Sequence, residues 1–203
     1  MKAKTVTYSL LASSLLAASP LVLAHEAGDM LLRFGGGVVS PKSNNSEVVS
    51  VDDGTSATIT FTYMFKDNWA VDVLAAWPFK HDINLVSDGS KVGSTEHLPP
   101  TVSLQYYFTT DTLFQPYVGV GVNYTNFFSE KTTGALQGTN LKLDDSWGLA
   151  AQVGVDFMLN EKWFLNLDAR YIDIESKAYL DGAFVTKVDI SPWVYSAQAG
   201  FRF

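Results

Sequence analysis

The chain holds 203 residues, with 21 acidic side chains against 14 basic ones, a formal net charge of −7, and 47% hydrophobic residues. That acidic balance argues against nucleic acid as a partner, because nucleic acid selects basic faces. Cysteine is absent, which excludes disulfides and thiolate metal sites.

The first residues read as an export signal. Lys2 and Lys4 precede an apolar run from Tyr8 to Leu23, and Val22-Leu23-Ala24 matches the small-residue cleavage rule. The expectation is a signal peptide over 1–24, removed to leave one domain over 25–203 that begins at His25. No stretch after Ala24 approaches the ~20 apolar residues that a membrane-spanning helix requires.

From there the dominant signal is a period of two. Weak alternation at 30–40 and 56–65 leads into a clear case from Trp69. Trp69, Val71, Val73, Ala75, Trp77 and Phe79 share one face, opposite Ala70, Asp72, Leu74, Ala76 and Pro78. A weaker strand spans 98–108. Phe114, Pro116, Val118, Val120, Val122 and Tyr124 then alternate with Gln115, Tyr117, Gly119, Gly121 and Asn123. Trp147 to Phe157 and Trp163 to Tyr171 repeat the pattern, and 187–203 carries it to Phe203. Short turns (66–68, 109–113, 159–162) alternate with long polar segments near 41–54, 80–97, 127–146 and 175–186. The expected fold is all-β: an eight-stranded antiparallel up-and-down barrel with both chain ends on one side.

Aromatic placement decides which face is outside. On the apolar face Phe65, Trp69, Phe108, Phe114, Phe157, Trp163 and Phe201 fall at the short-turn end. Trp77, Phe79, Tyr124, Trp147, Tyr171, Trp193 and Tyr195 fall toward the long segments, with aliphatic residues between the two groups. Two aromatic girdles around an aliphatic band mark the interfaces of a bilayer, whereas a soluble barrel keeps its bulk at mid-core. The chain therefore reads as a transmembrane β-barrel in outer-membrane lipids, with short periplasmic turns and long extracellular loops. Its last strand must pair with its first, because lipid cannot satisfy open backbone groups.

The opposite face forms the lumen. Arg33, Asp72, Asp156, Asp168 and Arg202 gather toward the short turns, and Arg170 lies nearer mid-depth. Three acids and three bases in a narrow space are expected to pair. Toward the long segments the inward set turns apolar: Val39, Ala76, Pro78, Ala150, Ile172, Ile174, Pro192 and Val194. An apolar funnel above a charged floor suits small hydrophobic solutes passing across the outer membrane. The same residues also fit a plugged, structural barrel whose loops are handles for phage or toxins. His81 and His97 flank the second long segment, and such spacing specifies neither a metal pair nor a catalytic set. The chain reads as a non-enzyme without a cofactor. Pro78 ends the third strand beside Pro99 and Pro100 of the fourth, removing three ladder donors above Leu74 and Ala76. A lateral opening is expected on that seam.

Six stretches carry a family resemblance: "HEAGDM", "FTYMFKDNWAVDVLAAWPFKH", "HLPPT", "QPYVGVGVNYTNFF", "DDSWGLAAQVGVDF" and "PWVYSAQAGFRF". In this order and spacing, from His25 to Phe203, the chain resembles the OmpW family of small outer-membrane proteins, whose relatives include the alkane-uptake protein AlkL. The resemblance implies an eight-stranded barrel with a narrow, largely hydrophobic channel, blocked toward the periplasm and carrying small apolar molecules. It also implies a restriction built partly from a leucine that matches Leu74; where a member of the family has a tryptophan, this chain has Arg170. Outer-membrane barrels as a class end on an aromatic residue read by the barrel assembly machinery, and Phe203 holds that position.

Overall fold

The computed structural model describes residues 24–203, so the expected signal peptide lies outside the described residues except for Ala24. The strands are β1 (Met30–Ser40), β2 (Val49–Val51), β3 (Gly54–Lys66), β4 (Trp69–Ala76), β5 (Phe79–Leu85), β6 (Lys91–Leu98) and β7 (Thr101–Tyr107). They continue with β8 (Phe114–Thr132), β9 (Leu141–Leu143), β10 (Ser146–Met158), β11 (Trp163–Ile172), β12 (Glu175–Leu180), β13 (Ala183–Asp189) and β14 (Trp193–Arg202).

Eight of them close the expected barrel. Antiparallel pairing runs β1–β3–β4–β7–β8–β10–β11–β14, and β14 returns to β1. The closing seam is continuous from Leu31–Arg202 to Ser40–Trp193, and the Phe203 N–H donates to the Met30 carbonyl at 2.9 Å. The sheet closes on itself with no free edge strand, as lipid requires, since open backbone groups there cost several kcal/mol each.

The pleat sorts the side chains as the alternation requires. Val71, Val73, Val120, Val122, Leu165 and Leu167 are exposed on the outer face, Val120 at 64%. Trp77, Trp147, Trp193 and Tyr195 form the outer girdle, and Phe65, Trp69, Phe108, Phe114 and Trp163 the inner one. Between the inner-face residues, Thr58, Thr60, Ser103, Gln105, Gln152 and Gln198 are buried in the lumen.

The long polar segments carry strands of their own between stretches of loop such as 41–48 and 137–140. β5 pairs with β6, β6 with the far half of β8, β2 with β5, and β12 with both β13 and β9. These sheets stand on the extracellular end of the barrel as a second layer. In β5 the alternation was hidden because Lys80, Asp82 and Asn84 point away from the core, while Phe79, His81 and Ile83 between them are buried.

The strand drawn through 69–79 breaks at its top. Trp77 and Pro78 are both exposed, and burial resumes at Phe79, which is only 1% accessible. Two consecutive outward residues reverse the phase, so Phe79 belongs to the core rather than the outer girdle, and Pro78 does not face the lumen. Proline forces this: it cannot donate to a ladder and ends β4 beside it. The strand expected over 187–203 likewise splits at 190–192, where Pro192 separates β13 from β14.

Candidate functional site

The lumen is layered, and its floor lies nearest the periplasmic turns. Arg33, 1% exposed, donates from Nη2 to Asp156 Oδ2 at 2.7 Å and from Nε to Asp156 Oδ1 at 3.3 Å. It also donates to Tyr107 Oη at 2.6 Å and to Thr62 Oγ1 at 2.5 Å. The Thr62 hydroxyl passes its own proton toward Asp72 Oδ1 at 2.7 Å. Arg170 reaches Asp72 at 3.0 Å and Asp168 at 3.6 Å, while the Tyr117 hydroxyl donates to Asp168 at 3.0 Å. Asn166 donates to Asp156 at 2.8 Å and Tyr117 Oη at 3.0 Å. The Arg33 guanidinium packs 5.3 Å from the Phe164 ring centre and 5.7 Å from that of Tyr117. Gly154 leaves room for the Tyr117 ring, because a Cβ there would collide with it.

Charges this buried are costly unless paired. The network joins Arg33, Asp72, Asp156, Asp168 and Arg170 into one buried, ion-paired plate, in which Arg170 Nε and Nη1 find no hydrogen-bond partner among the described residues. Arg202 is not part of it: it donates to the Glu161 carbonyl at 2.8 Å and the Ala24 carbonyl at 2.9 Å, and lies 3.4 Å from Asp29. That places Arg202 at the periplasmic rim, because the strand end carries it past the lumen. Arg170, expected on the ligand path, is instead a floor residue. His25 is a member that sequence reasoning missed. Its Nε2 donates to Asp156 Oδ2 at 3.0 Å, and its ring stands edge-on to Tyr107 and Phe164. Nothing local marks it, since the chain must fold back under the barrel to bring it there.

Above the floor, Gln198 donates to Thr58 and Thr60 at 3.0 and 3.2 Å, and Asn123 donates to Thr101 at 3.0 Å. Leu74, 5% exposed, faces inward at this level, in register with Thr60 and Thr101. Next comes an apolar cluster: Val39, Phe79, Phe127, Ala150, Ile172, Ile174, Ile190 and Val194, with Ala76 partly buried at its margin. Of the residues expected to line a ligand path, Ile172, Ile174 and Val194 meet here.

A cavity of about 140 Å³ sits beyond this cluster, among the extracellular sheets. Phe127, Leu143, Val188 and Ile190 of the cluster form its base, and Val49, Ile83, Leu85 and Val92 contribute walls. Val48 and Val185 line it while 43% and 47% exposed, so it reaches the outer surface. Leu74, Ala76, Pro78 and Arg170 do not touch it.

Its lining includes His81 and His97, each 1% exposed, beside the polar residues Thr95, Ser176 and Thr186. Their rings stack at 4.8 Å with a 4° interplanar angle. His81 Nδ1 meets the Asp52 carbonyl at 2.6 Å; a carbonyl only accepts, so Nδ1 carries the proton. His81 Nε2 and both His97 nitrogens find no partner among the described residues. Burial lowers both imidazoles, His97 to about 3, with the neighbouring His81 adding to the effect. Gly54 permits the arrangement, since a Cβ there would lie 2.6 Å from His81 Cε1. The period-two run of Phe79, His81 and Ile83, extended into the polar segment, was the signal for it.

The wall beside the apolar cluster has one interrupted ladder. β4–β7 pairing stops at Leu74–Thr101, and the next pair outward is Phe79–His97 of β5–β6. Residues 75–78 and 98–100 lie between, and this gap contains Pro78, Pro99 and Pro100. Each strand remains tied on its far side: the Trp77 N–H donates to Ala57 O at 3.0 Å and the Tyr124 N–H to Pro100 O at 3.1 Å.

The family model for the OmpW family matches residues 26–203. The chain is 45% identical over 203 residues to outer membrane protein W of Vibrio cholerae, covering 90% of this chain and 92% of that protein. It is 34% identical over 194 residues to outer membrane protein AlkL of Ectopseudomonas oleovorans, covering 91% of this chain and 79% of that one. The crystal structure of the outer membrane protein OprG from Pseudomonas aeruginosa superposes with a TM-score of 0.79 at 39% identity, over 90% of this chain and 99% of that chain.

Proposed function

This chain belongs to the OmpW family of bacterial outer-membrane barrels, and on that premise we propose that it takes up small hydrophobic molecules from outside the cell and releases them sideways into the bilayer. One observation carries the reading: an apolar cavity open at the surface stands over an apolar cluster, which stands over an ion-paired floor. A wet ion pore needs no such cluster, and a purely structural barrel needs no such cavity. The floor opposes straight passage, so the exit lies through the wall. The seam at Pro78, Pro99 and Pro100 supports that route, because missing donors make the wall easiest to part there.

Leu74 and Ala76 would form the inner side of this exit, below Ile172, Ile174 and Val194. The relatives are outer-membrane barrel proteins rather than enzymes. For biogenesis, the reading includes removal of 1–24, checked by intact mass, and recognition of the terminal strand by the assembly machinery through exposed Phe203.

The test is uptake of an apolar substrate by cells with matched levels of folded barrel. Ala76→Trp should obstruct the seam from inside and cut uptake severalfold. Uptake equal to the parent removes the lateral route. Uptake no greater than in cells lacking the barrel removes the carrier function and leaves a plugged barrel with receptor loops.

A further inference from the structure

Of the described residues that line the cavity among the extracellular sheets, only His81 and His97 titrate. Water does not reach their free nitrogens. Each residue is 1% exposed, the Cε1–Nε2 edge of His81 lies against Gly54, and both His97 nitrogens are buried without a partner among the described residues. The rings around His97 are Phe79 and His81 of β5 and Phe127 of β8, and none carries a carboxylate. Across the cavity β9, β12 and β13 present Leu143, Ala178 and Val188. Lys80 and Glu96, paired across the β5–β6 hairpin, alternate to its other face. His81 faces the carboxylates of Asp52, Asp53 and Asp82, which favour its cation, yet its burial outweighs them. Those three acids are already engaged by Asn84, Ser40 and Lys91.

An imidazolium needs water or an acceptor, and the closed layer supplies His97 with neither. A proton is therefore accommodated only when the β5–β6 hairpin parts from β8. The same movement separates Ile83 and Val92 from Phe127 and takes the cavity apart. We propose that the stacked histidines make the pocket acid-releasing: protons bind the open extracellular layer, an apolar occupant binds the closed one, and each displaces the other. This rests on the reading of the cavity as a hydrophobic-ligand site and adds its regulation. Linkage makes the antagonism reciprocal. Burial holds His97 to about 3 against an ordinary 6.5, so between those values each pH unit of acidification favours the open layer by up to about tenfold. Above pH 6.5 the closed layer loses nothing, and an occupant moves the opening to lower pH.

The chain has no cysteine, so one introduced thiol reports the opening without background. Val92→Cys, at a cavity position 1% exposed, is labelled in lipid nanodiscs with 4,4′-dithiodipyridine, a reagent that works in acid. Each rate is divided by that of the same protein unfolded in urea at the same pH, so the ratio tracks the open fraction. Ser103→Cys, buried in the lumen, is the control for the wall. The Val92→Cys ratio should rise at least tenfold as pH falls from about 6 to 4, while the Ser103→Cys ratio stays flat. Toluene at a fixed free concentration should lower the Val92→Cys ratio and move its rise to lower pH. Replacing both histidines, His81→Phe with His97→Phe, should remove the rise.

A flat ratio at Val92→Cys overturns the acid release and leaves the hydrophobic-ligand reading standing. A rise that toluene does not shift overturns the ligand site and the release together. Parallel rises at both cysteines mean that the whole barrel opens, and a rise that persists in the folded double-Phe variant places the proton elsewhere; either overturns the proposal. The first three outcomes are read with both histidines in place, so they decide the matter even where the double-Phe variant does not fold.

Discussion

Replacing Asp156 by Asn tests whether the floor is a dry plate. Asp156 is fully buried and accepts from Arg33, Asn166 and His25. The amide removes the charge opposite Arg33 and turns an NH₂ toward groups that themselves donate. Breaking a buried pair by removing one partner costs about 3–5 kcal/mol, because the other charge stays buried without compensation. Arg33 keeps Asp72 at 3.8 Å as a second counter-charge, so the lower end, about 3 kcal/mol, is expected. The assay is reversible urea unfolding from lipid vesicles, followed by tryptophan emission. A double variant, Arg33→Met with Asp156→Leu, should be more stable than Asp156→Asn, because it removes both desolvated charges, although Asn166 and His25 still lose the acceptor they share. A loss below about 1 kcal/mol in Asp156→Asn is what a screened, hydrated pair would give. That result would refute the dry floor and, with it, the need for a lateral exit.

Two further outcomes follow from the geometry. Val120→Arg, on the lipid face at mid-wall, should cost about 2–4 kcal/mol of folding stability in the same vesicles, while Val120→Leu should be nearly neutral; equal stability of the two would mean the outer face does not meet lipid. The extracellular layer should weaken in acid: with His97 held at about 3 against an ordinary 6.5, the folded layer binds fewer protons than the unfolded one between those values. Its contribution is complete above pH 6.5 and falls by about 1.4 kcal/mol per pH unit below it. Hydrogen exchange across 79–98, corrected for intrinsic rates, should accelerate as pH drops from about 6 to 4 while the wall stays protected, and His97→Phe should flatten the response; a flat profile in the parent would show that His97 is not buried neutral.

The wall was legible because a strand's two faces are a local property. Trp69 through Trp77 declares its lipid and lumen sides by alternation alone, and the girdles and aliphatic band then require a bilayer outside. The family resemblance agreed with that reading, and the comparisons establish it. The inward sign of Arg33, Asp72, Asp156, Asp168 and Arg170 was fixed by the same phase. Which of them meet was not. Arg170 pairs with Asp72 across 98 positions, Arg33 with Asp156 across 123, and His25 with Asp156 across 131. Those distances depend on strand tilt and on the register of the closed barrel, which no window of sequence contains. The same limit explains Pro78 and Phe79, where one break in the ladder reversed the phase and carried a ring from the girdle into the core. It explains the pocket too: His81 and His97 are 16 residues apart in a segment that looked like loop, and only the β5–β6 hairpin, packed on β8 and β12, stacks them over an apolar floor. Period two tells each residue which way to face; the closure of the sheet decides what it faces.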